Sequence, residues 1–308
     1  MAMGSKGWIA CVEGNMSDHL PILSIGMPVY NGEDYLPEAL DSILNQTLTD
    51  FELIISDNGS IDKTPEIIKE YSSKDERINF HRFDRNSGAS KNYNYVFRQS
   101  KGKYFKWAAH DDICAPTYME KCIETLNKNE SVILCYSLTT KIDNQGEKIE
   151  LYGDDLNLDD LNPARRFKKY LFRKKGLCNP VFGVIRSDVL RKTSLIGNYN
   201  GSDIILLGHL SLLGKFYEIP DYLFFRRMHK NASASSNPNP GDLAAWYDPN
   251  KKAKMILPNW RRYYEFIKII LNMNMKYSDQ LHCLIVMQKW FICRRKSLKN
   301  DLKSIFNS

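Results

Sequence analysis

Lys106-Trp107-Ala108-Ala109-His110-Asp111-Asp112-Ile113-Cys114-Ala115-Pro116 decides how the chain folds. An aromatic, strand-like run, Tyr104-Phe105-Lys106-Trp107, stops at two adjacent carboxylates, and a proline able to open a helix follows. Asp and Glu are seldom fully buried unless paired. Two carboxylates where a buried strand leaves a sheet therefore suit a divalent cation. Mg2+ and Mn2+ favour such oxygen ligands and bind through one or two carboxylates plus substrate phosphates. The same residues also read as a plain strand-to-helix turn with one Asp capping the next helix. The flanking sequence separates the two readings.

Upstream, the pattern of apolar strand followed by polar turn occurs three more times. Residues 23–30 read as a short buried strand bounded by Pro28 and Asn31, and Asn31-Gly32 is turn chemistry. Leu36, Leu40, Ile43 and Leu44 then fall at helical spacing. A second strand, residues 51–56, ends at Asp57-Asn58-Gly59-Ser60, and Thr64-Pro65 supplies an N-cap and first-turn pair for a helix. A third, residues 78–83, leads to Asn86-Ser87-Gly88 and a helix over 90–99. Downstream, a helix over 116–127 and a strand over 132–137 continue the alternation.

Strands alternating with helices through short loops imply a mostly parallel sheet flanked by helices. Ligands of such sheets collect at the carboxyl ends of the strands. Tyr30-Asn31, Asp57-Asn58, Asn86-Ser87-Gly88 and His110-Asp111-Asp112 all fall there, so the site is expected along that edge.

After Thr140 the pattern loosens. Asp143-Asn144-Gln145-Gly146 reads as a hairpin turn, 163–175 as a basic helix, 179–185 as a strand and 187–192 as a short helix. Gly201-Ser202-Asp203 opens an apolar helix through 213, and strands are expected at 216–219 and 223–227. The segments expected are a leader over 1–20 (with Met16 as an alternative start), a nucleotide-binding half over 21–138 and an acceptor-side half over 139–232. A flexible loop over 233–245 and a basic helical extension over 246–308 follow.

The 308 residues carry a net charge of +7, spread unevenly. Residues 251–308 hold 13 Lys/Arg against Glu265, Asp279 and Asp301, a surplus of 10, so the remainder carries −3. A basic tail with Trp260, Trp290 and Phe291 on amphipathic helices fits peripheral contact with an anionic membrane surface. It also fits packing on the body or a homodimer interface. Seven scattered cysteines without a CxxC pair argue against a disulfide framework and a zinc site, and point to a reducing, cytoplasmic setting, with peripheral contact at the inner membrane surface. No apolar run reaches the roughly 18 residues of a membrane span. No GxGxxG follows the first strand, which argues against a dinucleotide oxidoreductase. The basic residues lack a nucleic-acid-binding motif, so no nucleic-acid partner is expected.

Taken together, Ser24-Ile25-Gly26-Met27-Pro28-Val29-Tyr30-Asn31, Glu52-Leu53-Ile54-Ile55-Ser56-Asp57-Asn58-Gly59-Ser60, Asn86-Ser87-Gly88 and Asp111-Asp112 resemble the family 2 glycosyltransferases of the GT-A fold. The resemblance continues more loosely through Asn179-Pro180-Val181-Phe182-Gly183, Gly201-Ser202-Asp203 and Phe225-Arg226-Arg227-Met228-His229. It implies an α/β nucleotide-sugar-binding fold with a C-terminal helical extension. It also implies inverting sugar transfer from a nucleotide-diphosphate donor, UDP- or dTDP-type, to a glycan or lipid-linked acceptor.

By the same resemblance, Pro28, Val29, Tyr30 and Asp57 hold the base and ribose, with Asn31, Glu33, Asn58, Asn86 and Gly88 in the same donor loops. Asp112 and His229 bind Mg2+ or Mn2+, with Asp111 in support or in contact with the donor's ribose or sugar. His110 stands where the family commonly has an acidic residue, a departure from its pattern. Lys91 stands where Arg often occurs, and Arg226 and Arg227 face phosphate. Asp203 matches the catalytic base. A nucleotidyltransferase would instead carry a Gly-rich basic loop after the first strand, where this chain has Tyr30-Asn31-Gly32-Glu33. A catalytically weak nucleotide- or glycan-binding module with a basic tail is the other alternative, separable by turnover of a nucleotide sugar.

Overall fold

Four of the expected strands form the parallel part of one sheet: β1 (Leu23–Val29), β2 (Phe51–Asp57), β3 (Ile78–Arg82) and β4 (Tyr104–Trp107), in the order β3-β2-β1-β4. The crossovers are α1 (Leu36–Leu44), α2 (Thr64–Lys74) and α3 (Ala89–Arg98). Val29 pairs in register with Asp57, and Asp57 with Arg82, so the polar loops open side by side on one edge. Every residue of β1 is buried, as expected of a parallel strand covered on both faces. The computed structural model describes residues 20–174, 176–230, 246–247 and 257–306. Residues 1–19 of the leader and the loop over 233–245 lie outside them.

Beyond Trp107 come β5 (Ile113–Cys114), α4 (Tyr118–Lys128), β6 (Val132–Ile142), β7 (Lys148–Tyr152) and α5 (Pro163–Leu171). They are followed by β8 (Val184–Arg186), α6 (Ser187–Leu190), α7 (Ser202–Leu213) and β9 (Lys215–Arg227). Two helices, α8 (Pro258–Asn272) and α9 (Tyr277–Phe306), complete the described chain. The sheet runs β3-β2-β1-β4-β8-β6-β9-β5, with β7 on β6. β8 is antiparallel to β4 and β6, whereas β9 is parallel to β6.

Three local expectations change. The strands expected at 216–219 and 223–227 are one strand, β9. Ser137 pairs with Ile219 and Leu138 with Tyr222, so Pro220 and Asp221 sit in a bulge where the missing proline N–H costs no ladder bond. The strand expected at 179–185 begins as a 3-10 turn, Asn179–Phe182, with Pro180 fixing its start, and only Val184–Arg186 joins the sheet. Thr64 does not cap α2. It is the first helical residue, its hydroxyl accepts the Gly32 N–H at 2.8 Å, and Asp62 accepts the Thr64 N–H at 3.1 Å.

The C-terminal helices pack on the body. Phe266 of α8 meets Phe167 of α5 edge-on at 5.3 Å, and Cys283, Val286, Met287 and Trp290 of α9 are buried in the same core. Trp260 donates its indole N–H to the Leu298 carbonyl and rests edge-on against Phe291. Asp301 accepts the Asn259 N–H at 2.8 Å, so α9 caps the positive end of α8. Of the readings open for the tail aromatics, packing on the body and between the two helices is the one these contacts match. Among the described residues no helix is long and apolar enough to cross a membrane.

Candidate active site

A cleft of about 560 Å3 opens at the carboxyl ends of β1, β2 and β4, closed on its far side by the end of β9. Pro28, Val29, Tyr30 and Asn31 line it from β1, and Asn58 and Asn86 from the next two loops. Asp111 and Asp112 face Arg226, Arg227 and His229 across it. The pairing of Ile113 with Phe225 fixes that meeting of residues more than a hundred positions apart.

The loops are cross-braced. Asn31 takes a positive φ of 50° and accepts the Ile61 N–H at 3.0 Å. Asn58 donates to Asn86 Oδ1 at 3.0 Å and accepts the Ser87 N–H at 2.9 Å. Gly32 is needed where it stands, since a Cβ there would lie 2.6 Å from His110.

Around the carboxylates, Asp111 Oδ2 lies 2.8 Å from His229 Nε2, and Asp112 Oδ1 accepts the Arg227 N–H at 2.9 Å. Burial raises the Asp111 pKa, but the His229 hydrogen bond and the His110 and His229 charges outweigh it and leave it lowered. Burial first, then the Asp111 charge, pushes Asp112 the other way, against Arg226, the Arg227 amide and Lys106. Lys106 is the unexpected member. It is fully buried in β4, donates to the Phe182 carbonyl and lies 4.9 Å from the Tyr118 ring centre.

This donor set fits a divalent cation. Two ligands at about 2.1 Å in adjacent octahedral corners stand roughly 3 Å apart, close to the 2.8 Å between Asp111 and His229. Among the described residues no cluster of three His, Cys, Asp or Glu encloses a metal unaided.

Several residues singled out from sequence stand elsewhere. Asp57 is fully buried, accepts the Ser60 N–H at 2.9 Å and lies 3.1 Å from Arg82 Nε; Asn58 lines the cleft in its place. Glu33 accepts the Lys63 N–H at 2.9 Å outside the cleft lining. Gly88 caps α3 at φ 87°, and Lys91 sits 4.8 Å from the Phe83 ring centre, away from the cleft. Arg227 lines the cleft, but its guanidinium is committed to the Asp111 and Asp143 carbonyls and to Glu38. Arg226 donates to the Leu177 carbonyl and the Asn179 side chain. Both arginines brace the site.

Asp203 stands in the first turn of α7, half-buried, and is not among the residues that line the cleft. Tyr93, which does line the cleft, ties it to the rest: burial raises the Tyr93 pKa first, and the Asp111, Tyr247, Asp112 and Asp203 charges add to it. One phenol thus lies in the field of both the carboxylate pair and Asp203. Sequence reading missed Tyr93, Tyr35 and Trp246, which line the cleft without any motif; Phe182, from the Asn179–Gly183 run, lines it from a 3-10 turn.

Behind the site, Asp154 is buried beside Glu218, whose Oε1 accepts the Asp154 N–H at 3.0 Å. Burial, then the Glu218 charge, pushes Asp154 up to about 7. Between the ordinary carboxylate value of 3.8 and about 7 the native chain therefore holds more protons than the unfolded chain, and its stability falls as pH rises through that window. Asp154→Asn is expected to remove part of that slope and to raise the melting temperature at pH 8 but not at pH 4. Equal melting temperatures for variant and wild type at pH 8 would refute this.

Residues 24–193 match the family model for glycosyl transferase family 2. An uncharacterised glycosyltransferase of Methanocaldococcus jannaschii is 33% identical over 174 residues, covering 56% of this chain and 58% of that protein. The chain thus spans less than two thirds of that relative's length. Among solved structures, residues 1–349 of S. aureus TarS in complex with UDP-GlcNAc align with a TM-score of 0.63 at 15% identity, covering 92% of this chain and 80% of that one. The mannosyltransferase PcManGT of Pyrobaculum calidifontis, in complex with GDP-Man and Mn2+, aligns at 0.56 and 12% identity, covering 93% and 74%. The fold is that of the GT-A glycosyltransferases. The chain belongs to glycosyl transferase family 2.

Proposed function

We propose that the protein transfers a sugar, with inversion, from a nucleotide-diphosphate donor to a hydroxyl of a glycan or lipid-linked acceptor, in cell-surface polysaccharide or glycoconjugate synthesis. The observation that carries this reading is the cleft at the carboxyl ends of β1, β2 and β4, where Asp111, Asp112 and His229 meet beside Tyr30, Asn31 and Asn58. TarS holds UDP-GlcNAc and PcManGT holds GDP-Man with Mn2+, which supports a nucleotide-sugar donor and a divalent ion here. A UDP- or dTDP-type donor is favoured.

Tyr30, Asn31 and Asn58 hold the nucleoside end of the donor, and Asp112 and His229, with Asp111 in support, would hold Mg2+ or Mn2+. When bound, the cation offsets the negative charge building on the leaving nucleotide. Asp203 takes the proton of the acceptor hydroxyl as that oxygen attacks the anomeric carbon. A single displacement from the side opposite the leaving group inverts the anomeric centre. A thermal-shift screen of nucleotide diphosphates and nucleotide sugars, with and without Mn2+, tests the reading. Stabilisation by a uridine or thymidine nucleotide that needs Mn2+ is expected, and a flat response to every nucleotide would overturn it.

The helical extension is proposed to rest on an anionic membrane surface. Leu281, Ile285 and Ile292 share one exposed face of α9, close to Arg295, Lys296 and Lys299. Full-length protein is expected to sediment with anionic liposomes and to be released by salt. Sedimentation unchanged by Leu281→Asp and Ile285→Asp together would end the idea.

A further inference from the structure

A second cavity, of about 210 Å3, lies where α8 and α9 meet the end of α5 and the start of α7. Arg173, Lys174, Arg262 and Arg294 line it around the buried Trp290. Among the described residues none of these four cations forms an ion pair with a carboxylate. Arg173 donates through Nη1 to the Tyr170 carbonyl and lies over the Tyr170 ring at 4.3 Å, but its buried Nε has no hydrogen-bond partner.

Arg262 is half-buried against the start of α7, where a Cβ added at Gly201 would come within 3.3 Å of its Nη2. A guanidinium there meets the positive end of the helix dipole. Burial lowers the Arg262 pKa, and the charges of Arg173 and Arg294 add to that; Tyr170 and Asp203 act the other way. Arg173 and Arg262 are half-buried here without a paired anion, which is costly unless something negative joins them. Guanidinium forks match phosphate oxygens, and the cavity has room for a phosphate group and for water at about 30 Å3 each.

The two cavities share a wall. Lys174 and Gly176 line the basic one while Leu177 lines the donor cleft, and Ile204 lines the basic one directly after Asp203. We propose that the basic cavity binds a phosphate group carried by the acceptor, holding that acceptor beside Asp203. This rests on the reading of the other cleft as the donor site and of Asp203 as the base.

The test is calorimetric titration of the full chain with inorganic phosphate, N-acetylglucosamine 1-phosphate and UDP plus Mn2+, in wild type and in Arg262→Gln/Arg294→Gln. Vesicles of phosphatidylcholine with phosphatidic acid probe a lipid-borne phosphate. Arg294 is exposed, so Arg294→Glu alone serves as a second variant that leaves the core intact. Both phosphates should bind without competition from UDP, and lose about tenfold or more in affinity in the double variant while UDP affinity holds. The sugar phosphate or the vesicles should bind more tightly than inorganic phosphate. Equal affinity for inorganic phosphate would assign the site to the free ion and overturn the acceptor role. Phosphate affinity unchanged in both variants, or phosphate displaced by UDP, would overturn the site itself. Failure of UDP to bind wild type would instead strike the donor reading and leave the phosphate result standing.

Discussion

Asp203→Asn should leave nucleotide binding intact and lower turnover roughly 10²–10⁴-fold, the range of a lost general base. The side chain stands in the first turn of α7, where Asn keeps the size and local hydrogen bonding of Asp, so the fold should survive. What Asn cannot do is accept a proton. The Asp203 charge acts on Tyr93 and Tyr247 on one side and on Arg262 on the other, which sets it between the donor cleft and the basic cavity. Transfer from a labelled nucleotide sugar measures the effect, and calorimetric titration with UDP plus Mn2+ supplies the control. Transfer at the wild-type rate would remove Asp203 from the role. Loss of nucleotide binding would show that the variant had damaged the donor site instead.

Donor-side architecture was legible because it is local. Each strand of the parallel part is a short apolar run ending in its own polar turn, and the Val29–Asp57 and Asp57–Arg82 registers align those turns without help from distant residues. Asp111 and Asp112 could be singled out for the same reason. Residues that act across the sheet left no such trace. Lys106 looked like one more strand residue, yet pleat alternation buries it beneath Asp112, with aromatic rings and the Phe182 carbonyl around its ammonium group. Arg227 looked like a phosphate ligand because of its charge. Its three-way bracing of Glu38, Asp111 and Asp143 depends on where β9 ends, which sequence spacing does not encode. Asp57 is similar: its type suits a ribose, and register puts Arg82 beside it, which spacing along the chain does not show. The tail was the least legible. Amphipathic helices with exposed-looking tryptophans are equally suited to membrane and to core, and only the surface offered by α5 and α7 decides that Trp290 is buried.

Asp112→Asn is expected to show two effects of opposite sign. The side chain is almost wholly buried, and its charge is opposed by burial and by Asp111. Removing the charge while keeping Oδ1 as acceptor for the Arg227 N–H should therefore raise the melting temperature near pH 8. The same change should weaken Mn2+-dependent nucleotide binding by about tenfold or more, because a neutral amide is a poor ligand for a hard divalent ion. His229→Ala should also lose Mn2+ dependence, but without the gain in stability, since it strips Asp111 of the partner at 2.8 Å that keeps its pKa low. A stabilised variant that binds its metal-linked ligand less well is the pattern of a functional group held in place against its own folding cost. A merely structural carboxylate at 112 would lose stability on substitution and leave the Mn2+ dependence of UDP affinity as it was. Melting curves and UDP titrations with Mn2+ or EDTA, run on the same two variants, separate these outcomes, and unchanged Mn2+ dependence in Asp112→Asn would end its assignment as a ligand.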